Sequence, residues 1–177
     1  MKNLSDGTKT NDVSVIERIG RVRSLDLGPI KFKLVHGTEG QKLDPKEVEK
    51  METAYRRFLI LSVKYPGQKL VPNKRVDTFW HTHILDTMKY AVDCEYVFGH
   101  FLHHFPYFGL RGEEDAKQLS LAFEETKVLY QLEFGETITE SAEECQVSDC
   151  DAVQCNPAGC HGDPPEHHRS RPTMATA

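Results

Sequence analysis

The sequence has no apolar run approaching the roughly 18 residues that a membrane span requires. It has no stripe of Lys and Arg of the kind that tracks a nucleic-acid backbone. Its first twelve residues, MKNLSDGTKTND, carry no apolar signal core. These absences set the expectation of a soluble, cytoplasmic protein with neither a membrane nor a nucleic-acid partner. No phosphate-cradling glycine loop is present, which argues against phosphoryl transfer. Neither H-E-x-x-H nor C-x-x-C occurs in the body of the chain, so two compact zinc signatures are missing. Only Cys94 lies outside a C-terminal run of cysteines, and it reads as a small buried apolar residue rather than a nucleophile.

Net charge is missing from most of the chain too. The 22 Lys+Arg and 27 Asp+Glu leave a formal charge of −5. Two Arg and seven acids fall in 140–177, so residues 1–139 balance at 20 and 20 and the whole charge sits in the tail. That tail contains no Leu, Ile, Phe, Tyr or Trp. It cannot bury enough apolar surface to offset the entropy of ordering it. The expected organisation is a flexible N-terminus over 1–12, a helical core over 13–139 and a disordered acidic tail over 140–177.

What is present in the core is mostly helical patterning. Val13, Ile16 and Ile19 share one side of a short helix ending near Arg23. Ile30, Phe32 and Leu34 alternate with Lys31 and Lys33, which reads as a strand or as an extended segment packed on helices. In LDPKEVEKMETAYRRFLILSVKYPG, Asp44 suits an N-cap, Pro45 the first helical position and Glu47 a capping box. Val48, Met51, Tyr55, Phe58, Leu59 and Val63 form its apolar face. A second helix is expected from about Asp77 to Phe98, stopped by Gly99. A third carries acids in its first turn and buries Leu119, Ala122, Phe123, Thr126, Leu129, Tyr130 and Phe134. The fold class is mainly α, with one short extended segment at most.

The stretch VDTFWHTHILDTMKYAVDCEYVFGHFLHHFPYFG concentrates chemistry. It holds five of the nine histidines, the one tryptophan and three aspartates. Residues four apart share a helix face, whereas residues two apart point nearly oppositely. Asp77 and His81 are therefore neighbours, and His81 and His83 are not in a regular helix. His81 and His83, completed by His103 or His104 from the following loop, are the candidate metal ligands. Asp77, Asp86 and Asp93 are the candidate orienting carboxylates, with Asp77 equally readable as a helix cap. Mixed N/O ligation suits Zn, Fe or Cu. The competing reading is a satisfied polar core, each imidazole paired inside an aromatic surround.

These residues resemble the core of the glycine-rich domain-containing protein family. The pattern D-x-x-W-H-x-H is matched by Asp77, Trp80, His81 and His83. The pattern Y-x-x-D-C-x-x-x-F-G is matched by Tyr90, Asp93, Cys94, Phe98 and Gly99. The likeness spans roughly residues 44–135 and points to a short bacterial-type member without the glycine-rich region. It implies a shared core and transfers no reaction.

Cys145, Cys150, Cys155 and Cys160 repeat every five residues. Reduced, they are soft metal ligands, with His161, His167 and His168 nearby. The same layout suits a precursor of a ribosomally made modified peptide. The body would then be the leader, and the tail the segment on which a peptide-modifying enzyme acts. The leading expectation is a helical metal-binding protein, with metal-assisted oxidation or hydrolysis as its chemistry if it is an enzyme. A purely structural interaction domain is the third reading.

Overall fold

A computed structural model describes residues 8–37, 42–138 and 152–154. The described residues form six helices and three very short strands. In chain order these are α1 (Thr8–Ser24), α2 (Gly28–His36), α3 (Pro45–Lys64), β1 (Lys69–Leu70), α4 (Lys74–Leu85), α5 (Thr87–Phe98), β2 (His104–Phe105), α6 (Glu113–Phe134) and β3 (Ala152–Gln154). The fold is mainly helical, as the patterning predicts. None of these helices is long and apolar enough to cross a membrane.

Helix α3 is the centre. Asp44 accepts a hydrogen bond from the Lys46 amide at 2.9 Å, and Pro45 opens the first turn. Val48, Met51, Tyr55, Phe58, Leu59 and Val63 are buried as their spacing requires. Ile60, Leu61 and Ser62 are buried too, so the second half of the helix is enclosed on every side. It packs against α1, α2, α4 and α6. Glu47 reaches Arg75 at 2.8 Å and ties the start of α3 to α4. Arg56 donates to the carbonyls of Val22 at 2.6 Å and Leu25 at 2.8 Å. A cation there satisfies oxygens that the end of α1 cannot pair internally.

Four expectations need correction. Helix α1 starts at Thr8, so residues 8–12 belong to a helix and not to a flexible arm. Ile30–Leu34 lies within α2, not in an extended segment. Pro29 presets the first turn of that helix. The alternation there never made one buried face, because Ile30 is 2 % exposed and Phe32 is 67 % exposed. The helix expected over 77–98 is two helices joined at Asp86, whose backbone (φ −84°, ψ 71°) ends α4 and begins α5. Asp77 is not a cap: Asn73 caps α4, its side chain accepting from the Val76 amide at 2.9 Å. Gly99, at φ 72°, does close α5 in the left-handed conformation.

The main core gathers side chains of α1–α6 around Tyr55, Phe79 and Trp80, none of which is exposed. A smaller cluster of Val71, Phe108, Leu119, Ala122 and Phe123 seats the first half of α6. The Val71 amide donates to Thr126 Oγ1 at 3.0 Å and pins the connector after β1 onto α6. Strand β3 lies between β1 and β2, antiparallel to both, with Val153 opposite Leu70 and His104. Three residues of the expected disordered tail are thus in a strand. Cys145, Cys150, Cys155 and Cys160 lie outside the described residues.

Candidate metal centre

Three side chains converge where α4 meets the loop after α5. Asp77 and His81 stand one turn apart on α4, and His104 arrives from β2. His81 Nε2 and His104 Nε2 are 3.0 Å apart. Asp77 Oδ1 lies 3.4 Å from His104 Nε2 and 3.6 Å from His81 Nε2. Among the described residues this is the group of His, Cys, Asp and Glu whose ligand atoms all lie within 4.8 Å of one another. The Asp77 side chain is 1 % exposed, His104 11 % and His81 35 %, so the cluster is closed beneath Asp77 and opens beside His81.

The sides of this triangle constrain what it can hold. A cation about 2.1 Å from all three atoms subtends angles of roughly 90°, 110° and 120°. Ideal edges at that bond length are about 3.4 Å for a tetrahedron, and about 3.0 Å for an octahedral face. The observed 3.0, 3.4 and 3.6 Å fall around that range. A square plane would put two of the three ligands opposite each other, about 4 Å or more apart. No pair here is that far apart. A proton on His104 Nε2 shared with His81 Nε2 and Asp77 Oδ1 also satisfies two edges of the triangle.

The other sequence-predicted residues do not join the cluster. His83 is 2 % exposed and has its own partners. Tyr55 Oη is 2.9 Å from its Nδ1, and Asp93 Oδ2 is 3.0 Å from its Nε2. Burial holds its pKa below the ordinary imidazole value, against the pull of Asp93. Asp93 also accepts from Lys89 Nζ at 2.8 Å. His103 is exposed, with its ring centroid 4.9 Å from that of Phe101. Asp86 caps α5, accepting from the Lys89 amide at 3.4 Å. Asp77, expected to orient an imidazole from behind or to cap the helix, instead points its carboxylate at the ring nitrogens themselves. The i,i+4 spacing of Asp77 and His81 carried that signal.

The aromatic surround is part of the site's scaffolding. The His104 ring meets Trp80 edge-on, centroids 4.6 Å apart at 76°. Trp80 Nε1 donates to Tyr90 Oη at 2.9 Å, and Tyr90 Oη donates to the Leu102 carbonyl at 2.5 Å. Cys94 lies beside the same hydroxyl, and burial pushes its thiol up to about 11. The sequence places Trp80 in an aromatic surround and Tyr90 on the following helix, but its patterning carries no sign that the two join α4, α5 and the His104 loop.

Comparison with known proteins adds one family. A sequence model described as UCP032817-like matches residues 18–126, a span that contains Asp77, His81 and His104. No curated protein and no solved structure matches the chain. The resemblance to the glycine-rich domain-containing proteins is therefore corrected, because the family indicated is a different one. The match covers well over half of the sequence, and the chain belongs to the UCP032817-like family.

Proposed function

We propose that the protein binds one divalent transition-metal ion through Asp77 Oδ1, His81 Nε2 and His104 Nε2, with zinc as the first candidate and ferrous iron as the second. The observation that carries this reading is the convergence of the three ligand atoms within 4.8 Å. Two imidazoles and one carboxylate leave a positive charge on a divalent ion and at least one coordination position unfilled. That is the pattern of catalytic zinc sites with three protein ligands, and of ferrous two-histidine, one-carboxylate sites. Of the three side chains His81 is the most exposed, at 35 %, so a small molecule would reach the cluster from its side. An ion held there would lower the pKa of a bound water and polarise a carbonyl brought to it. Copper(II) in a square plane fits poorly, because the ligand atoms are all mutually adjacent.

The test is metal stoichiometry in a full-length variant with Cys145, Cys150, Cys155 and Cys160 changed to serine, so that tail thiolates do not bind the probe. Titration with zinc should give one site per chain. His81→Ala and His104→Ala should each lose it. Cobalt(II) in place of zinc should give a visible spectrum typical of low coordination with N and O donors. No zinc site in the parent, or full retention of zinc by both alanine variants, would refute the reading. Loss of stability with no change in metal content would favour the structural interaction domain.

A further inference from the structure

We infer that Tyr90 is a positioning residue of this centre: its hydroxyl sets where His104 stands relative to Asp77 and His81. The inference rests on the metal-binding reading above and assigns a role that the three ligands do not contain.

Asp77 and His81 are fixed to each other by one turn of α4. His104 is not. It comes from the segment between α5 and α6, where a ligand has no helical register to hold it. Strand pairing of β2 with β3 holds its backbone on one side, and two further contacts run through Tyr90. The Tyr90 hydroxyl donates to the carbonyl of Leu102, two residues before His104. It accepts from the indole of Trp80, against whose ring His104 lies. Trp80 and Leu102 are fully buried and Tyr90 is 2 % exposed, so water does not substitute for either bond. One hydroxyl therefore clamps α4, α5 and the loop at a point two residues from the third ligand.

The clamp matters because coordination is unforgiving. Metal–ligand distances tolerate about 0.2 Å, and removing groups that orient ligands costs 10- to 100-fold in affinity. Two residues of extended chain span about 7 Å. A small pivot at Leu102 therefore moves Nε2 of His104 by more than that tolerance. Phe101 packs edge-on to Tyr90 with centroids 5.0 Å apart, so the ring stays packed when only its oxygen is removed. Tyr90→Phe is then a clean deletion of the clamp.

The experiment uses the full-length chain with the four tail cysteines replaced by serine. Zinc affinity is measured by competition with a chelating dye, the cobalt(II) spectrum is recorded, and apo stability is measured separately in urea. Tyr90→Phe should weaken zinc 10- to 100-fold and change the cobalt(II) spectrum. Unchanged affinity and spectrum, whatever happens to apo stability, would make Tyr90 a core residue only and overturn the inference. Should Tyr90→Phe not fold, Trp80→Phe breaks the same chain at its other bond while leaving a ring beside His104. It should weaken zinc several-fold, and unchanged affinity there overturns the inference too. A parent that binds no zinc at all sinks the metal reading and this role with it, which separates the two failures.

Discussion

His83 and Tyr55 form a pair whose removal, singly and together, separates a polar core from a metal site. Tyr55 is fully buried and His83 is 2 % exposed, with 2.9 Å between the phenol oxygen and Nδ1. Tyr55→Phe keeps the ring and strands Nδ1 without water. The cost of a buried polar atom left unpaired is about 1–3 kcal/mol. His83→Leu keeps the volume, strands the Tyr55 hydroxyl and removes one partner of Asp93, which retains Lys89 at 2.8 Å. It should cost a similar amount. The double variant removes both polar ends, and replacing both partners by apolar groups is far cheaper than the sum of the single changes. The expected coupling is therefore about 1–2 kcal/mol, with single variants melting roughly 2–4 °C lower per kcal/mol lost. Urea denaturation in the presence of a chelator measures this on the apo protein, since bound metal would add its own stabilisation. Additivity within about 0.5 kcal/mol would show that the two residues do not depend on each other. In the serine-tail background, both single variants should also bind zinc like their parent. Loss of zinc in His83→Leu, but not in His104→Ala, would move the centre to His83 and refute the ligand assignment.

Three further outcomes follow from the packing and the charges. Glu133 accepts from Lys64 and from Tyr65 Oη, which holds its carboxyl below the ordinary value. The unfolded chain then binds the proton first as pH falls. The stability Glu133 contributes is full above about pH 4.3 and is lost as pH drops through the lowered folded value. Glu133→Gln should accordingly differ from the parent in urea midpoint at pH 7, and the difference should shrink towards pH 3. Cys94 is buried, with its thiol pushed up to about 11. In the serine-tail variant a thiol reagent at pH 8 should detect no cysteine until urea unfolds the chain, and prompt labelling would contradict the burial. Gly109 has φ +87°, and a Cβ there would sit 2.6 Å from Leu119 Cδ2. Gly109→Ala should lose about 1–3 kcal/mol, from backbone strain and forced movement of Leu119.

The sequence signals were strong where one helix explained itself. Asp44, Pro45 and the spacing from Val48 to Val63 define α3 because cap, first turn and apolar stripe agree. Helix α6 is legible for the same reason, with its acids at the positive end and its buried face from Leu119 to Tyr130. In α2 the signals conflicted. Alternation over five residues imitates a strand when apolar side chains lie on both sides of a short helix, and no neighbouring strand was there to decide it. At the centre, the pair on one helix was legible from its i,i+4 spacing. The third member of the cluster was not separable from its neighbour, since His103 and His104 differ only in which side of a loop each faces. That choice is made by Leu102, which is buried at 0 % and leaves His103 outside and His104 inside.

The break at Asp86 explains why the two halves of the motif belong together. Trp80 pairs with Tyr90, and His83 pairs with Asp93. Both pairs are ten residues apart. On one continuous helix, ten residues are about 15 Å along the axis, which no indole and phenol can close to 2.9 Å. The pairs therefore require the chain to turn between them. Asp86 supplies the turn, because its short carboxylate can pair with the amides of a new helix and so competes with continuing the old one. The same turn brings α5 beside α4 and hangs the following loop over the face that carries Asp77 and His81. Trp80, Tyr90 and Asp93 thus belong to the geometry that brings His104 to Asp77 and His81, although none of them is in the cluster.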